Sequence, residues 1–144
     1  MTEQEKNIQM VKDVFAAMNR GDMNYILDRA ADDIEWQSPV TGATAEPISW
    51  AKPRRGKAEI SAFFKELFDK ITLVEMKPLT FTAQDDRVFV EGTTKGIVKS
   101  NKQEYSSTWM MAITIRNGKC LRMKHFYDTA DILKAFPLAM RKAA

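Results

Sequence analysis

Residues 104–127 read EYSSTWMMAITIRNGKCLRMKHFY, two runs of β-branched, aromatic and thioether side chains joined at Asn117-Gly118. Asn-Gly favours a two-residue turn in which both central residues take a positive φ. Such a turn pairs Arg116 with Lys119. Counting back along an antiparallel ladder then pairs Ala112 with Met123 and Met110 with His125. Side chains alternate along a strand. One face of the hairpin therefore carries Met110, Ala112, Met123, His125 and Tyr127, and the other Trp109, Met111, Ile113, Lys124 and Phe126. Both faces are substantially apolar. One takes the helices and a pocket, while a second bare face of that size invites association, so the pattern predicts a homodimer through the sheet.

Working upstream, two more strands are expected at about 72–84 and 87–98, with Asp85-Asp86 as their turn. Before them Ile60, Phe63, Phe64, Leu67 and Ile71 follow the spacing of one buried helix face. From Pro39 to Gly56 three prolines and an isolated Trp50 mark an irregular segment of the kind that forms lids and binding loops. Ile8, Val11, Phe15 and Met18 place the first helix, and Gly21 supplies its left-handed stop. Asp22 caps a short second helix, Asp32-Asp33 turns out of it, and Ile34–Gln37 form a strand that Pro39 ends. Asp128 caps a last helix from Thr129 to Phe136. The expectation is one α+β domain over residues 1–144, with a curved antiparallel sheet wrapped on N-terminal helices.

Composition narrows the function classes. Hydrophobic residues make up 44% and charged residues 28%, the balance of a globular domain, and no apolar run is long enough for a membrane-spanning helix. The N-terminus starts like a helix rather than a signal peptide, and the single Cys120 forms no internal disulfide, which together point to the cytoplasm. The net charge of +3 comes from scattered bases with small clusters at Arg54-Arg55, Arg122/Lys124 and Arg141-Lys142. Nucleic-acid binders carry a denser basic face, so no nucleic-acid partner is expected. One histidine and one cysteine make neither a His–His metal pair nor a cysteine zinc site, and no cofactor is expected.

The order helix, short helix, strand, loop, helix and four-strand meander resembles the cone-shaped, cystatin-like fold of nuclear transport factor 2, scytalone dehydratase and ketosteroid isomerase. VFAAMNRGDMNYILDRAADDIEWQSPV resembles the opening of bacterial ketosteroid isomerases, and RGKAEISAFFKEL their third helix. NGKCLRMKHFYDT resembles the hairpin and aromatic-Asp ending of SnoaL-like polyketide cyclases. The resemblance implies an apolar pocket that holds a small oxygenated molecule. The isomerase aspartate base is matched here by Ser38, the oxyanion-hole tyrosine by Val14 and the buried protonated aspartate by Met110. Val14 and Met110 donate no side-chain hydrogen bond, so dienolate chemistry of that type is not implied. The last-strand acid/base position of the epoxide hydrolases and cyclases is matched by His125.

His125 is thus the first candidate, either as a general acid/base or as a buried, hydrogen-bonded imidazole. Glu91 is the second. A two-residue turn at Asn101-Lys102 pairs it with Ala112 on the face of Met110, where it would oppose His125; a bulge or longer turn would leave it outward and solvated. Phe15, Trp36, Ser38, Trp50, Met110, Met123 and Tyr127 are the expected pocket contacts, Trp50 as part of the lid. Three functions remain open: an isomerase-, cyclase- or hydratase-type enzyme with His125 as acid/base, a non-catalytic binder of a small apolar ligand, and a protein-interaction module using the sheet face.

Overall fold

Asn117 (φ 51°) and Gly118 (φ 71°) make the expected turn, with Arg116 opposite Lys119. The computed structural model describes residues 1–39 and 46–137; Arg141-Lys142 and part of the Pro39–Gly56 segment lie outside that range. The two strands that the turn joins, β5 (Glu104–Arg116) and β6 (Lys119–Tyr127), then depart from the simple ladder. Ile115 pairs with Cys120 but Thr114 pairs with Arg122, so Leu121 is an extra residue in β6, a bulge. Every later partner shifts by one. His125 faces Met111, not Met110, and Met123 faces Ile113, not Ala112. The two faces of β5 exchange roles. Trp109, Met111 and Ile113 are buried beside Met123, whereas Met110 (47% exposed) and Phe126 (51%) form a pair on the outer face.

The remaining strands are β1 (Ala30–Gln37), the two-residue β2 (Arg54–Arg55), β3 (Ile71–Gln84) and β4 (Arg87–Val98). They assemble into one open curved sheet of order β2-β1-β6-β5-β4-β3. The class is α+β, but the sheet is mixed rather than antiparallel throughout, because β1 runs parallel to β6. β3 is an edge strand, which is why it tolerates Pro78: the missing N–H faces no neighbour. Asp32 and Asp33 lie within β1 instead of forming a turn, since the strand begins at Ala30, opposite Cys120. Four residues, not two, separate Val98 from Gln103, and Glu91 consequently pairs with Met110.

Helix α1 (Glu3–Asn19) starts with a reciprocal cap between Thr2 and Glu5 and buries Val11, Phe15 and Ala17. Gly21 (φ 75°) ends it, and Asp22 caps α2 (Met23–Asp28). Helix α3 (Lys57–Lys70) buries Ile60, Phe63 and Phe64. Asp128 accepts from the amides of Ala130 and Asp131 at the start of α4 (Thr129–Leu133), which ends three residues before Phe136. The inner face of the sheet and these helices enclose the core.

Candidate functional site

The inner face is ordered in rows. Gly92, Trp109 and Tyr127 lie side by side across β4, β5 and β6; Val90, Met111 and His125 form the next row. Gly92 is required by Trp109: a Cβ there would sit 2.2 Å from the indole Cζ2 and 2.6 Å from the Lys77 carbonyl. The bare glycine leaves the room that the Trp109 ring occupies against β4. Gly96 does the same for Tyr105, whose ring would be 2.6 Å from an added Cβ. His125 meets Trp109 edge-on at 5.8 Å and Tyr127 at 4.9 Å between ring centroids.

Trp36 enters from β1 and packs on Phe63 (5.4 Å) and Phe64 (5.7 Å) of α3. Ser38, just past β1, is 1% exposed. Trp50 sits on a single 3-10 turn, Ser49–Ala51, and is buried against Phe136 at 6.1 Å, so it is a wall of the core rather than an exposed flap. Arg54 holds that turn in place. Its buried guanidinium bonds Glu66 of α3 at 2.9 Å and reaches the Trp50 carbonyl at 3.5 Å. Arg54 is therefore structural, and Arg122 is paired with Glu35 at 3.0 Å; neither belongs to a free basic face.

These residues surround a cavity of about 70 Å3, room for roughly five waters. Trp36, Ser38, Trp50, His125 and Tyr127 line it, joined by Tyr105, Ser107, Thr94 and Trp109. Phe15 and Met123 line an adjoining cavity of about 60 Å3. Met110 and Glu91 line neither: both are on the outer face, where Glu91 accepts a hydrogen bond from Thr80 at 2.7 Å. The physical reason is the Leu121 bulge, which turns His125 inward without turning Met110 and Glu91 with it. Trp109 was missed for the same reason, although Gly92 opposite an aromatic strand was a usable signal.

Among the described residues, none that lines the cavity is ionised. Burial pushes the His125 imidazole down to about 3, so it is neutral at physiological pH. The ring keeps some accessible surface, but Nε2 has none and no partner among the described residues. Burial pushes Tyr105 up to about 12. It raises Tyr127 further, against a smaller opposing pull from the Trp50 indole, and Tyr127 Oη still lacks a partner of hydrogen-bonding geometry. Trp36 Nε1, Ser38 Oγ and Trp109 Nε1 are also buried and have no hydrogen-bond partner among the described residues. A buried polar group left this way costs about 1–3 kcal/mol. Five of the residues that line this cavity carry such an atom, each set within the wall and reached by a ligand only when its side chain turns. Among the described residues no three of His, Cys, Asp and Glu gather as a metal site needs, and no helix is long and apolar enough to cross a membrane.

Residues 11–123 match the SnoaL-like domain family. The chain is 35% identical to an NTF2-like protein from Burkholderia xenovorans LB400, with a TM-score of 0.78 over 95% of this chain and 100% of that one. It superposes on an NTF2-like protein of Burkholderia pseudomallei K96243 with a TM-score of 0.80 at 22% identity, covering 90% and 95% of the two chains. An LEH-like epoxide hydrolase of M. tuberculosis shares the fold at 16% identity, with a TM-score of 0.73 over 99% and 96%. No curated protein matches.

Proposed function

The chain belongs to the SnoaL-like domain family, and from that premise we propose that it binds a small, neutral, largely apolar molecule bearing oxygen acceptors. The observation that carries this reading is the gathering of Trp36, Ser38, Trp109, His125 and Tyr127, each with a buried polar atom unpartnered among the described residues, around one cavity whose described lining carries no charged side chain. The two indoles can only donate, so the complementary group is a carbonyl, ether or hydroxyl oxygen. A carboxylate would give up its hydration and meet no cation in return. His125 acts as a neutral hydrogen-bonding partner rather than as a proton shuttle, because an imidazole with so low a pKa is a weak base and its acid form is scarce at pH 7.

All three tryptophans line the cavity, so intrinsic fluorescence reports on it. Cyclohexanone is expected to change the emission saturably, and cyclohexanecarboxylate at equal concentration is not. Trp36→Phe and Ser38→Ala each weaken the ketone about 2- to 10-fold, the value of one neutral hydrogen bond. Equal binding of the carboxylate would refute the reading.

A second reading is an isomerase- or cyclase-type enzyme with His125 as acid/base, favoured by the position of His125 within the cavity. It predicts that the protein accelerates deuterium uptake α to the bound carbonyl in D2O and that His125→Ala stays folded and loses that exchange; binding alone predicts neither. The outer sheet face, with Leu79, Met110 and Phe126 exposed, is proposed as a homodimer surface. A cytoplasmic home belongs to the proposal, supported by Cys120 being an unpaired thiol.

A further inference from the structure

Two cavities lie between sheet and helices, and three side chains belong to both. Met18, Trp36 and Met111 line the cavity of about 70 Å3 on one side and that of about 60 Å3 on the other. Their polar content differs. Ser38, Trp109, His125 and Tyr127 line only the first, and Trp36 stands on the shared wall. The second is walled by Val14, Phe15, Ile26, Ile34 and Ile113 among others, and its two polar side chains are already engaged. Cys120 Sγ donates to the Arg122 carbonyl at 3.5 Å, and the Arg29 guanidinium lies 3.9 Å over the Tyr25 ring. Among the described residues, the buried polar atoms without a partner at this cavity are confined to the wall that both cavities share.

The material of that wall matters. Protein interiors leave few voids larger than a water, so two adjoining ones are a feature of this core. Methionine is unbranched with three rotatable bonds and adapts its shape at little cost, whereas a β-branched wall would be stiff. Phe15 of the second cavity stacks on Trp109 of the first at 5.5 Å and 18°, so the two cavities abut there as well.

Resting on the neutral-ligand reading above, we propose that the ligand has two parts: an oxygenated head in the first cavity and a short unbranched hydrocarbon tail that passes Met18 and Met111 into the second. The polar cavity then recognises one end and the apolar cavity measures the other. Such a site selects by chain length as well as by head group.

Titrating the protein with 2-butanone, 2-hexanone, 2-octanone and 2-decanone, read by tryptophan fluorescence, tests this. Affinity should rise about fourfold per added methylene once the first cavity is full, and level off when the second is full. Val14→Phe, whose ring occupies only the second cavity, should cut the advantage of 2-octanone over 2-butanone by tenfold or more. Val14→Met, smaller and flexible, runs in parallel in case the phenylalanine variant does not fold, and should shorten the rise. Binding of 2-butanone with no gain along the series overturns the tail and leaves the head reading standing. A wild-type slope in both Val14 variants also overturns it, since the tail would then lie elsewhere. Failure of every ketone to bind overturns both.

Discussion

His125 is the only histidine, so its titration can be followed without overlap. Its pKa in the fold, about 3, lies below the ordinary 6.5 because burial disfavours the charged ring. Between those two values the unfolded chain binds a proton that the folded chain refuses. Stability is therefore intact above about pH 6.5 and falls as the pH drops towards 3. Between pH 7 and pH 5 this one group should cost about 2 kcal/mol. Urea unfolding at the two pH values should show wild type losing about that much more than His125→Gln. The imidazole Cε1–H resonance of the wild type should not move between pH 5 and pH 8; a midpoint near 6.5 would mean that water reaches Nε2 and that His125 is available as an acid/base.

At the scale of elements, the site depends on how β4 and β5 meet. Gly92 leaves the room into which Trp109 folds, and the Lys77 carbonyl of β3 closes the other side. In Gly92→Ala the new methyl would collide with both, and only the indole can give way. The expected result is a loss of about 1–3 kcal/mol in denaturant unfolding, as for other overpacked cores, with a shift of tryptophan emission and a weakened response to ketones. An alanine variant with wild-type stability and binding would show that the close approach is not needed. The bulge at Leu121 acts at the same scale, since one unpaired residue decides which side chains of β6 join Trp109 and Met111.

For the whole molecule, the question is what covers the outer face. Met110 and Phe126 are partners across β5 and β6 and are about half exposed, with Leu79 54% exposed on the edge strand. Sedimentation velocity at tens of micromolar should give a dimer for the wild type and a monomer for Phe126→Glu, because a buried carboxylate without a partner is costly. A monomeric wild type would remove the dimer from the proposal. If both species bind the ketone alike, each protomer holds a complete cavity.

What the sequence determined by itself was local. The spacing of Ile8, Val11, Phe15 and Met18, the stops at Gly21 and Pro39, the Asn117-Gly118 turn and the strand spans 87–98, 104–116 and 119–127 all follow from φ preferences and from periods of 3.6 or two. His125, Trp36, Ser38, Trp50 and Tyr127 could be named from the sequence as candidates, and the structure sets these five around one cavity. The tertiary structure decided which face is the inside. A period of two has no memory of an inserted residue, so the bulge at Leu121 silently exchanged Met110 for Met111 and Trp109 and left Glu91 outside. The bulge lies where β6 also pairs with β1, between Cys120 opposite Ala30 and Arg122 opposite Glu35, a long-range pairing that no window of residues 104–127 contains. The neutrality of His125 is likewise tertiary. Imidazole chemistry alone suggests a proton shuttle, and only the walls contributed by Trp109, Tyr127 and their neighbours turn it into an uncharged partner.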